Sequence, residues 1–180
     1  MRRLIGRAAI SVLAGAVLFI PDGCKRQEKV PLQLTEEESP PLASTLHVAD
    51  PRASSQLLNG FHTVEQNAWR WTMQKFAVSL RLPGGAAEKG ATLQLNLTIP
   101  ETLIQKLKTI TLTAAADGVS LKEETYTKAG NYVYSRDVPK KVLSQEAVRV
   151  DFALDKSFVP GQVERRQLGV VVTTVGFELK

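Results

Sequence analysis

The sequence of this 180-residue chain predicts an all-β protein: a single antiparallel β-sandwich with one short helix near residues 101–107. Three observations lead there. Apolar residues recur at every second position in run after run, the spacing of a strand with one buried and one wet face. Clusters of Gly, Pro, Asn and Asp separate the runs, which is turn chemistry. No repeated helical segment of the length that links parallel strands lies between them, so the strands are expected to pair antiparallel.

The first strand-like stretch is Gly60 to Glu65, followed after a short loop by Trp69 and Trp71. Phe76, Val78, Leu80 and Leu82 then alternate with Ala77, Ser79 and Arg81, and Leu93, Leu95, Leu97 and Ile99 alternate with Gln94, Asn96 and Thr98. Between these two strands, Pro83 to Gly90 reads as a hairpin loop. Pro100 to Leu107 breaks the pattern: Leu103, Ile104 and Leu107 have helical spacing, and Glu101 sits in the first turn, where an acidic side chain favours the helix dipole. Ile110, Leu112 and Ala114 resume the strand period, and Asp117-Gly118 closes a two-residue type I′ turn. Ala129-Gly130-Asn131 and Pro160-Gly161 mark further turns around the strand of Val148, Val150, Phe152 and Leu154. The last run, Leu168 to Leu179, is apolar on both sides at Val170, Val171 and Val172, as expected of a central strand.

The amino terminus has a different character. Arg2, Arg3 and Arg7 precede the apolar run Ala8 to Ile20, which ends at Pro21-Asp22-Gly23 and Cys24, the only cysteine. That is the layout of a secretory leader, and the run is short against the roughly 30 Å of hydrocarbon that a spanning helix must cross. Gly23-Cys24 resembles the lipobox of bacterial lipoproteins, from which Pro21 and Asp22 depart. The resemblance implies lipidation of Cys24 and a membrane-anchored place in the cell envelope, with an ordinary cleaved signal or an uncleaved anchor as alternatives. Acylation would also remove the lone free thiol. Residues 25–44, with Glu36-Glu37-Glu38, Pro31, Pro40 and Pro41, read as a flexible tether. Residues 45–180 remain for one domain with a single core.

The formal net charge is +5, and part of it belongs to the leader arginines. Elsewhere the signs are mixed and no block of like charges occurs, which argues against a nucleic-acid partner. No catalytic signature is present. There is no Gly-x-Ser-x-Gly elbow, and the Pro83 to Gly90 loop lacks the Lys-Ser/Thr ending of a phosphate cradle. His62 and Glu65 with His47 fall short of a zinc ligand set, and Asp117, Asp151 and Asp155 do not form a calcium loop. Neither a metal nor a cofactor is expected.

Gly60-Phe61, Glu65 and Arg70-Trp71, together with Arg166 and Leu168-Gly169-Val170 near the end, resemble a jelly-roll-like β-sandwich module of bacterial envelope proteins and glycosyltransferases. The resemblance implies a non-catalytic accessory domain of carbohydrate-binding type. Trp69 and Trp71, two apart on a strand, share a face and form either a sugar-stacking platform or a cover for one end of the core. Tyr134 is a third candidate contact, and a cross-strand cluster with Tyr126 and Tyr132 is the alternative. Glu65 is expected in a structural ion pair with Arg70 or with Arg166, since an arginine away from water needs a carboxylate. The expectation for function is therefore a non-catalytic, lipid-anchored envelope protein that binds glycan or a polysaccharide-assembly partner. Its alternative is a structural or protein-interaction domain tethered at the membrane.

Overall fold

The computed structural model describes residues 41–162 and 164–180; the leader, Cys24 and residues 25–40 of the tether lie outside the described residues. Among the described residues there are nine strands: β1 Thr45–His47, β2 Leu57–Glu65, β3 Trp69–Arg81, β4 Ala91–Ile99, β5 Ile110–Ala116, β6 Val119–Tyr126, β7 Gly130–Asp137, β8 Ala147–Leu154 and β9 Val171–Leu179. Two α-helices join them, α1 Ala86–Lys89 and α2 Glu101–Leu107, the second where the spacing of Leu103, Ile104 and Leu107 places it. Every strand pairing is antiparallel.

The strands run β6-β5-β8-β3-β9-β4-β7, with β1 beside β9 and β2 beside β3. The pivot is β3: Lys75 to Arg81 pair with β8, whereas Arg70 and Trp71 pair with β9. One strand thus carries the chain from one sheet to the other, as at the corner of a sandwich whose sheets share strands. Gly169 lies against this corner. Its N–H donates to Thr72 O at 2.6 Å and the Val170 N–H donates to Thr72 Oγ1 at 3.0 Å. A Cβ on Gly169 would stand 2.6 Å from Met73 O, so only glycine lets the backbones approach this closely.

The period-two residues fill the interior. Burial alternates at every position of β4, and Phe76 on β3 lies opposite Phe152 on β8 with stacked rings 4.9 Å apart. Phe61 meets the edge of Phe76 at 5.4 Å. A fully buried side chain such as Phe76 or Phe152 contributes roughly 1.5–3 kcal/mol of apolar transfer. The final run is central, as its two-sided apolar character predicts: β9 contacts β3, β4 and β1. At the β5–β6 turn Asp117 and Gly118 have φ of 45° and 76°, both positive as a type I′ turn requires.

One expectation changes. Pro83 to Gly90 is not a hairpin loop: β9 lies between β3 and β4, and the connection carries α1 past the end of that strand. Alternation fixes which face of a strand is buried and leaves its neighbours unspecified. β6 and β7, consecutive in the chain, share no ladder and stand at the two ends of the strand order. Side chains bridge that seam. The Tyr134 hydroxyl donates to Lys122 O at 2.8 Å, and the Arg136 guanidinium donates to Lys122 O at 2.7 Å and Glu123 O at 3.1 Å while pairing with the Glu124 carboxylate at 2.7 Å.

Candidate functional site

Several of the residues singled out in the sequence converge where the start of β3, helix α2 and the segment between β8 and β9 meet. A cleft of about 290 Å³ opens there. Its apolar lining is Trp71 from β3, Leu103 from α2, and Phe158 and Leu168 from the returning segment; Thr102, Lys106 and Glu164 supply polar groups. Phe158 and Leu168 are fixed by a reciprocal pair of backbone hydrogen bonds, 2.7 and 3.1 Å. Helix α2 is anchored by buried Leu103, and Lys106, one turn on and hence on the same side, holds its ammonium 4.3 Å over the Phe158 ring. The half-buried Trp71 indole packs against the core at one edge.

A charge cluster holds the rim. The Arg166 guanidinium donates to Glu164 through Nε and Nη2, both at 3.0 Å, and to Glu65 Oε1 through Nη1 at 2.6 Å. The Arg166 backbone N–H also donates to Glu164 at 2.8 Å. The side-chain bonds first, then the backbone bond, hold the Glu164 carboxyl at about 2, and the side-chain bonds to Glu164 and then to Glu65 raise the guanidinium above its ordinary value. Glu164 is therefore ionised at neutral pH and tied to a fixed donor, an arrangement suited to accepting hydroxyls and unsuited to giving up protons.

Of the two ion pairs weighed for Glu65, the one with Arg166 forms. The pair with Arg70 does not, and the β2–β3 register gives the reason. Glu65 is opposite Trp69 and Val64 is opposite Arg70, so Glu65 and Arg70 point to opposite faces of the hairpin. Arg70 instead donates to Val48 O at 2.6 Å and His62 O at 2.9 Å, tying β2 and β3 to the end of β1. Trp69 shares the face of Trp71, but only Trp71 lines the cleft. Tyr134 is corrected outright as a ligand contact. It is 0% exposed, and its hydroxyl is spent on the seam. The tyrosine cluster is the arrangement observed, with Tyr126 and Tyr132 rings 4.7 Å apart.

The three aspartates weighed for calcium are engaged separately: Asp117 accepts the Arg149 N–H, Asp151 pairs with the Arg149 guanidinium, and Asp155 accepts the Thr111 N–H. Lys106, Phe158 and Glu164 were not singled out from the sequence. Lys106 had a usable signal in its helical spacing from Leu103. Phe158 had none, because its place depends on a single long-range bridge in an irregular segment.

No protein-family model matches the chain, and no curated protein matches it. Among solved structures it is similar to part of a family GH115 4-O-methyl-α-glucuronidase with specificity for decorated arabinogalactans, at TM-score 0.45 and 9% identity over 77% of this chain and 18% of that one. It is also similar to the CBM51-2 and INT domains of Clostridium perfringens ZmpB, at TM-score 0.34 and 10% identity over 74% of this chain and 28% of that one. The chain spans less than a third of either. Both likenesses stop at a β-rich architecture.

Proposed function

We propose that this protein is a non-catalytic glycan-binding domain of the cell envelope, anchored through a lipidated Cys24, and that the cleft beside Trp71 is its sugar-binding site. The observation that carries the reading is the pairing of an aromatic and aliphatic floor with fixed polar groups around it. A pyranose has apolar faces that stack on an indole and equatorial hydroxyls that need donors and acceptors at defined places. Trp71, Phe158 and Leu168 offer the first; the Glu164 carboxylate, the Lys106 ammonium and the Thr102 hydroxyl offer the second. The carboxylate nearest the floor is held ionised by Arg166, which supports binding over acid catalysis.

Titration of an array of neutral and acidic oligosaccharides against wild type, Trp71→Ala and Lys106→Gln tests the site. A hit that Trp71→Ala weakens at least tenfold, with the far-UV spectrum unchanged, is the expected result. Saturable capture of an envelope protein with no glycan hit would favour the protein-interaction alternative instead. Mass determination of the mature amino terminus tests the anchor, the expected species being one that begins at a diacylated Cys24.

A further inference from the structure

The outer face of β9-β4-β7 carries no formal charge over three consecutive cross-strand rows. The register aligns Val171 with Thr98 and Asn131, Thr174 with Asn96 and Val133, and Gly176 with Gln94 and Ser135. Charged residues enter in the fourth row, where Glu178, Thr92 and Asp137 align, and the Glu178 carboxylate accepts from the Gln94 amide at the edge of the third. The opposite sheet provides the comparison within the same molecule: its outer face carries Lys75, Arg149 and Asp151 on neighbouring strands. Gly176 is covered by Thr45 of β1; in a chain with 23% charged residues, the other eight adjacent positions, all half-buried or exposed and none charged, set this face apart.

From this face we infer a second binding surface, for a neutral polysaccharide chain lying across β4 and β7. A shallow groove of about 330 Å³ runs there, lined by Asn96, Thr98, Asn131, Val133 and Thr173 among others. Thr98 donates to Asn131 at 2.6 Å, which fixes one wall, while the Asn96 amide makes no side-chain hydrogen bond among the described residues. Val133 is 54% exposed at the centre, an apolar spot of the size that the C–H face of a sugar ring covers. Amides and hydroxyls exchange water for sugar hydroxyls bond for bond, whereas a lysine or carboxylate in the same place would resist the loss of its hydration. A charge-free surface thus matches an uncharged polyol and offers an acidic polymer nothing. The surface shares only a ligand class with the Trp71 cleft and stands on different residues.

Affinity gel electrophoresis separates the two. The probes are galactomannan, hydroxyethylcellulose and dextran as neutral polymers and polygalacturonate as the acidic one. At least one neutral polymer is expected to retard the wild type, with an affinity insensitive to salt. Val133→Asp and Asn96→Lys, both at solvent-side positions, should weaken that retardation at least tenfold, and Trp71→Ala should leave at least part of it. Retardation unchanged in both charge variants, retardation by polygalacturonate alone, or no retardation by any neutral polymer would overturn the inference. So would a concentration-dependent dimer that Val133→Asp disperses, which would assign the face to a second copy of the chain. Loss in Trp71→Ala with full retention in Val133→Asp would leave the cleft standing and remove this surface.

Discussion

At the scale of single residues, the most demanding position is Gly169. A Cβ there would meet Met73 O and Thr72 Oγ1 at 2.6 Å and Leu154 Cδ1 at 2.7 Å, and backbone on one side cannot retreat without breaking the β3 corner. Gly169→Val is expected to destabilise by at least ~2 kcal/mol, the range for overpacking a filled site, read as a fall of several degrees in Tm; an unchanged Tm would contradict the close approach. Glu164 gives a pH signature. Its folded value lies at about 2 against an ordinary 4.5, so folding favours the ionised form, and the stabilisation is full above about pH 4.5 and is lost as pH falls toward 2. The Tm advantage of wild type over Glu164→Gln, measured from pH 7 to 2.5, should shrink across that window and not above it. Glu65 and Arg166 were legible from the demand of an arginine for a carboxylate. The choice between Arg70 and Arg166 was not, because it depends on a hairpin register that bulges shift three times.

At the scale of elements, the seam between β6 and β7 is held by Arg136 reaching across an edge, with the Tyr134 hydroxyl beside it. Arg136→Ala would leave Lys122 O with the Tyr134 hydroxyl alone, strip the guanidinium donor from Glu123 O and leave Glu124 without its partner, at a cost of about 1–2 kcal/mol for charge-assisted bonds. Hydrogen exchange should rise in β6 and β7 while β4 and β9 stay protected. Equal protection everywhere would show that the seam needs no such bridge. Unpaired strand edges invite association with other chains, so the same variant should also self-associate more readily in sedimentation. Strand identities and helix α2 were readable because period two and period 3.6 are local signals. The seam and the crossing of β9 between β3 and β4 were not, since neighbour choice depends on how the whole sheet closes.

At the scale of the molecule, the two sheets share β3 and are closed by β9, so they are expected to unfold together. Tryptophan fluorescence, reporting on the β3 corner, and far-UV circular dichroism should give coincident denaturant midpoints; separated midpoints would show that the sheets are independent. Removing residues 171–180 should abolish folding altogether, seen as insoluble protein, because β1, β3 and β4 would each lose a ladder partner. The sandwich class was legible from composition and spacing, and so was the central character of the last run. That feature also sets the order of events in the life of the chain. Synthesis proceeds from the amino terminus, and the strand that sits in the middle of the sheet follows the eight it must join. Until β9 has left the ribosome, β1, β3 and β4 have no centre to close upon. The nascent domain is thereby kept open until its ninth strand emerges, and closes only then.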